Sequence, residues 1–108
     1  MNYKVEATPH FLQGSKKIAK KYPSLKNDIA DLAKQLMSNP FIGTSLGKDF
    51  YKIRLSIRSK GKGKSGGARV ITCVKILATT VYLASIYDKS EKENITDKEL
   101  KELAKTIG

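Results

Sequence analysis

The sequence predicts an α+β fold in the order β-α-α-β-β-β-α, an antiparallel sheet with a helical hairpin packed on one face. Three observations predict it. Apolar residues recur at helical spacing through the first third of the chain, the period changes to two from Tyr51 onward, and a second helical pattern with its own N-cap signal follows Thr96. At 108 residues the chain is long enough to bury one core without disulfides, so residues 1–108 are expected to form a single domain.

Each element has a local reason. Residues Tyr3 to Ala7 suit a short first strand, and Thr8-Pro9 then supplies an N-cap with proline at the first helical position. Phe11, Leu12, Ser15, Ile18, Ala19 and Tyr22 line one helical face, while Lys16, Lys17, Lys20 and Lys21 line the other. Pro23 breaks that helix, Ser24 is placed to cap the next, and Leu25, Ile29, Leu32, Ala33 and Leu36 form a second apolar stripe ending near Asn39-Pro40. Residues Phe41 to Gly47, with Gly43 and Gly47, are expected to be a loop. Tyr51, Ile53, Leu55 and Ile57 then alternate with Lys52, Arg54, Ser56 and Arg58, giving a strand with one packed and one cationic face. After the loop from Lys60 to Gly67, Ala68 to Leu77 and Val81 to Lys89 complete a three-strand meander of antiparallel neighbours. Thr96 and Glu99 form a capping box for a last helix with Leu100, Leu103, Ala104 and Ile107 on one face. With the hairpin on one face of the sheet, the other face is predicted to be free for function.

Charge narrows the function classes. The formal net charge is +11, and residues 48–75 carry nine Lys/Arg against one acidic residue, so most of the excess is local. A concentrated excess attracts polyanions, and nucleic acid leads the candidate partners. A membrane surface fits less well, because the cations fall in strands and a loop and not on an amphipathic helix. No apolar run is long enough to span a bilayer and no signal segment opens the chain, which predicts a cytoplasmic location. The single Cys73 and single His10 give no cluster with metal-ligand spacing, so no metal or other cofactor is expected.

Gly63-Lys64-Ser65 invites comparison with a phosphate-binding loop, but that motif needs glycine where Arg58 stands, and a helix after it where a strand is predicted. Arg58, Lys60, Lys62 and Lys64 are instead candidates for contacting a nucleic-acid backbone from the loop and its approach. His10, without a second histidine or a carboxylate partner, is read as a surface residue. The stronger constellation is Lys52, Arg54 and Arg69 with Tyr87 and Lys89, five residues that the strand period directs toward the uncovered face.

At these residues the chain resembles the RelE/ParE toxin superfamily, most closely its RelE- and HigB-like members. The resemblance rests on Tyr51-Lys52-Ile53-Arg54, on the run from Lys64 to Ile71, on the run from Tyr82 to Glu91, and on the helical hairpin from Phe11 to Leu36. It implies a toxin that cuts messenger RNA in the ribosomal A site and is restrained by an antitoxin protein encoded beside it. Carried over by position, Arg54 and Arg69 match family arginines on the second and third strands and Tyr87 a tyrosine near the end of the last strand, with Lys52 and Lys89 beside them.

Such chemistry needs no metal. The RNA 2′-hydroxyl is aligned on the neighbouring phosphate, arginines stabilise the phosphorane, Lys52 serves as general base, Tyr87 stacks on a base or orients the 2′-hydroxyl, and Lys89 positions phosphate or acts as acid. Two other readings compete: a ParE-like toxin that inhibits gyrase, and a non-catalytic protein that binds RNA or an antitoxin.

Overall fold

The computed structural model describes residues 2–61 and 66–107. The elements run β1 (Lys4–Ala7), α1 (Pro9–Lys21), α2 (Leu25–Ser38), β2 (Thr44–Gly47), β3 (Phe50–Leu55), a 3-10 turn (Arg58–Lys60), β4 (Ala68–Lys75), β5 (Thr80–Asp88) and α3 (Asp97–Ile107). They build a five-stranded sheet in the order β1-β5-β4-β3-β2, with every neighbouring pair antiparallel except β1 and β5, which are parallel.

The predicted helix signals act as expected at two of three ends. Thr8 accepts a hydrogen bond from the Phe11 N–H at 3.2 Å, and Thr96 and Glu99 exchange the reciprocal bonds of a capping box. Ser24 differs. It has helical backbone angles and makes no side-chain cap; its hydroxyl donates to the buried Asp28 carboxylate at 2.8 Å.

The α1–α2 hairpin covers one face of the sheet. Phe11, Ile18, Leu25, Leu32 and Leu36 pack with Ile53, Leu55, Val70, Val81 and Ile86 in one buried cluster. Helix α1 approaches β5 closely at Gly14, where a Cβ would lie 2.9 Å from the Ile86 carbonyl oxygen. A mid-helix glycine costs about 1 kcal/mol relative to alanine, and here the missing side chain admits the sheet.

Two features depart from the prediction. The segment read as a loop contains strand β2, which pairs with the start of β3. It escaped detection because it is four residues long, includes Gly47, and has only Leu46 to place against the core. The second face is also not bare. Helix α3 lays Leu103 on Phe50, Ile71, Cys73, Ala84 and Tyr87 in a smaller cluster, leaving the Arg54 end of the face open.

Candidate nucleic-acid interface

Strand register brings four of the five residues of the predicted constellation onto one face. Arg54 of β3 stands opposite Arg69 of β4, and Arg69 stands opposite Tyr87 of β5, so the three share one face across three adjacent strands. Lys52, two residues before Arg54, lies on the same face opposite Ile71. The strands can approach at this point because residue 67 is glycine: a Cβ there would sit 2.0 Å from the Leu55 carbonyl oxygen.

The residues differ in exposure. Arg54 is exposed and Lys52 is half-buried, whereas Arg69 is 5% exposed and its guanidinium donates to the Ala68 carbonyl at 3.2 Å. Tyr87 lies beneath the segment that leads into α3. Its hydroxyl is buried without a hydrogen-bond partner of ordinary geometry among the described residues. Burial pushes the Tyr87 phenol up from its ordinary value of 10.0, opposed by the charge of Arg69 and by the Ile95 backbone N–H. Lys89 is half-buried just past the end of β5, where its backbone N–H donates to the Gly67 carbonyl at 3.1 Å.

The sequence reading missed two neighbours. Lys92 holds its ammonium 5.4 Å from the Tyr87 ring centre and pairs with Glu99, and Asn94 accepts a hydrogen bond from the Lys52 ammonium at 3.2 Å. Lys92 holds the Glu99 carboxyl below its ordinary value of 4.5. Both neighbours follow the last predicted strand, where no period directs attention to a face.

Two residues expected to contact RNA are engaged elsewhere. The Lys60 side chain is 4% exposed, with its ammonium 2.6 Å from the Asp88 carboxylate, 2.7 Å from the Ser90 hydroxyl and over the Tyr22 ring. Burial pushes the Asp88 carboxyl up, but Lys60 and Ser90 outweigh it and hold the group below its ordinary value of 3.8. Arg58 turns toward α2 and pairs with Asp28 and Asp31. Lys60 is therefore a buried strut and Arg58 a helix tie, because the strand alternation ends at Leu55 and the 3-10 turn redirects both side chains. Lys62 and Lys64 lie outside the described residues. Exposed His10 lies beside Tyr82 and Thr106, near the far end of α3.

A mostly antiparallel sheet with a helical hairpin on one face and an arginine-tyrosine row on the other defines a cationic α+β protein. The family model described as "RelE toxin of RelE / RelB toxin-antitoxin system" matches residues 13–107, and the chain belongs to that family. The fold is similar to that of an arginine-substituted mutant of E. coli toxin RelE in the free state, with a TM-score of 0.65 and 17% identity over 100% of both chains. It is also similar to the isolated E. coli RelE toxin, with a TM-score of 0.60 and 17% identity over 98% of this chain and 99% of that one. A chain of the intact E. coli RelBE toxin-antitoxin complex gives 0.59 and 18% identity over 80% of this chain and 95% of that one. Among the described residues, no helix is long and apolar enough to cross a membrane.

Proposed function

We propose that the protein is a cytoplasmic, ribosome-dependent endoribonuclease that cuts messenger RNA in the A site, inhibits translation, and is held inactive by a cognate antitoxin. The observation that carries this reading is the register-locked row Arg54, Arg69 and Tyr87, with Lys52 on the same face. Cations directly opposite each other on a sheet are unfavourable by themselves and become favourable when an anion lies between them. The pentacoordinate phosphorane formed during RNA cleavage carries more negative charge than the ground-state diester. An arginine pair on adjacent strands, with Arg54 already exposed and Arg69 uncovered when the segment over Tyr87 yields, therefore binds the transition state more tightly than the substrate.

In this mechanism the Lys52 amine, after its ammonium releases a proton to water, takes the 2′-hydroxyl proton, Arg54 and Arg69 hold the non-bridging oxygens, and Lys89 protonates the departing 5′-oxygen. The P–O bond to the 5′-oxygen breaks as the 2′-oxygen attacks, leaving a 2′,3′-cyclic phosphate and a 5′-hydroxyl. Tyr87, whose hydroxyl is buried, offers its ring as a stacking surface once the covering segment yields. The test is cleavage of a messenger RNA bound to programmed ribosomes. Arg54→Ala and Arg69→Ala are expected to reduce the rate by about 10²–10³ while circular dichroism stays native. Full activity in both variants overturns the assignment.

A further inference from the structure

Strand β2 covers only the first half of β3. Its ladder stops at the Thr44–Lys52 pair, whereas β4 pairs with β3 as far as Leu55. Register and one hydrogen bond fix the direction of the uncovered main chain. The Val74 N–H donates to the Asp49 carbonyl at 2.9 Å, which puts the main-chain groups of Asp49, Ile53 and Leu55 on the β4 side and those of Arg54 and Ser56 on the other. Just beyond the strand, the Arg58 N–H donates to the Asp28 carboxylate of α2 at 3.2 Å. The outward groups of Arg54 and Ser56 lie between that bond and the end of the β2 ladder, facing the gap to α2.

That gap is a slot of about 210 Å³. Its scale is that of a single ring system, below the usual range for a drug-sized ligand. Leu32, Ile42, Ile53 and Leu55 give it apolar lining continuous with the main core. Asp31 and Gln35, one turn apart on α2, bring a carboxylate and an amide to it, and Arg54 and Ser56 bring the β3 edge. Asp28 and Arg58 complete the lining. Asp28 is 3% exposed, and its Oδ1 is buried with no hydrogen bond among the described residues, 3.4 Å from the Arg58 Nε. Arg58 also pairs with Asp31, so Arg54 and Arg58 set positive charge beside both carboxylates and a phosphate can approach.

An apolar slot with polar groups along its walls suits a planar base unstacked from single-stranded RNA. The polar groups decide which base. An ionised carboxylate only accepts hydrogen bonds, and guanine alone among the four RNA bases presents two adjacent donors, N1–H and the N2 amino group. Adenine and cytosine set a ring-nitrogen acceptor beside their amino group, and uracil flanks its N–H with carbonyls, so each would turn an acceptor toward the carboxylate. The outward N–H groups of the β3 edge supply donors for guanine O6 and N7.

We propose that the slot between α2 and β3 is a specificity site for a guanine base of the RNA, read by the Asp31 carboxylate and the outward main-chain N–H groups of Arg54 and Ser56. This inference rests on the ribonuclease reading above and adds a base preference to it. Arg54 then serves twice, its guanidinium positioning a phosphate on the cationic face and its main chain specifying the neighbouring base at the sheet edge. The probe is guanosine 3′-monophosphate, with the adenosine, cytidine and uridine 3′-monophosphates as controls, titrated into the 15N-labelled full chain. The guanosine nucleotide is expected to shift the amides of Asp31, Gln35, Arg54 and Ser56 and to bind about tenfold more tightly than the other three. Asp31→Asn, which turns an acceptor oxygen into a donor amide at a half-buried position, and Gln35→Trp, which fills the slot from an exposed one, should each weaken guanosine nucleotide binding about tenfold. On programmed ribosomes, cleavage beside guanine should dominate in the parent and lose that preference in Asp31→Asn.

Equal affinity for the four nucleotides, shifts that leave Asp31 and Ser56 unmoved, or an undiminished guanine preference in Asp31→Asn would each overturn the inference. Nucleotide binding does not depend on catalysis. RNA cleavage without guanine-selective binding would refute the specificity site alone, and guanine-selective binding without RNA cleavage would refute the nuclease reading alone.

Discussion

Arg54 and Arg69 face each other across β3 and β4, where opposite charges or β-branched residues would be more stable. This local cost is the clearest sign of function in the molecule, and it predicts a trade between stability and activity. Replacing Arg54 by threonine is expected to raise unfolding free energy by about 0.5 kcal/mol in urea titration, while cleavage falls by roughly the 10²–10³ assigned to a transition-state donor. A variant that is destabilised and still active would contradict the role. Tyr87 makes a separate prediction. Because its hydroxyl is buried without a hydrogen-bond partner of ordinary geometry among the described residues, Tyr87→Phe is expected to fold about as stably and to cleave within a few-fold of the parent, whereas Tyr87→Ala should lose the ring proposed to stack on RNA. Equal damage from the two substitutions would place the chemistry in the hydroxyl.

At the scale of elements, the Lys60–Asp88 pair ties the 3-10 turn after β3 to the end of β5, next to the arginine row. Removing one member leaves a buried charge, so Lys60→Met should destabilise the fold by about 3 kcal/mol, more than the loss from Lys105→Ala, whose pair with Glu102 is exposed on both sides, at about 0.5 kcal/mol or less. Lys60→Met combined with Asp88→Leu should recover part of that loss, and chemical denaturation of the three variants checks the order. The sign of the pH effect follows from Asp88, whose folded pKa is depressed below 3.8. Its contribution is present above the unfolded pKa and is lost as pH falls through the lower folded value, so a Tm difference between parent and Asp88→Asn should shrink below about pH 4.

These elements also show what the sequence could disclose. The two long helices, the last helix and the three meander strands were legible because each repeats its period over enough residues to mark a face. The row Arg54, Arg69 and Tyr87 was legible for the same reason, since strand parity alone places side chains on one face. Strand β2, the fate of Lys60 and the cover over Tyr87 were not. Each depends on a partner distant in sequence: Lys52 for Thr44, Asp88 for Lys60, and Leu103 for the face beneath α3.

For the whole molecule, the concentration of charge matters more than its total. Neutralisation of phosphates by Arg54, Arg69 and Lys89 predicts that log K for single-stranded RNA falls with log salt at a slope of about −2. Removing the exposed Arg54 should reduce that slope by roughly 0.7, as a phosphate contact requires. A slope near zero would mean that the cationic face does not meet the backbone. The most direct measurement of the central claim is 5′-end mapping of cellular transcripts soon after this chain is induced, with Arg69→Ala as control. New 5′-hydroxyl ends inside translated frames, absent from the control, are the predicted result, and growth arrest with intact transcripts would contradict it and direct attention to gyrase.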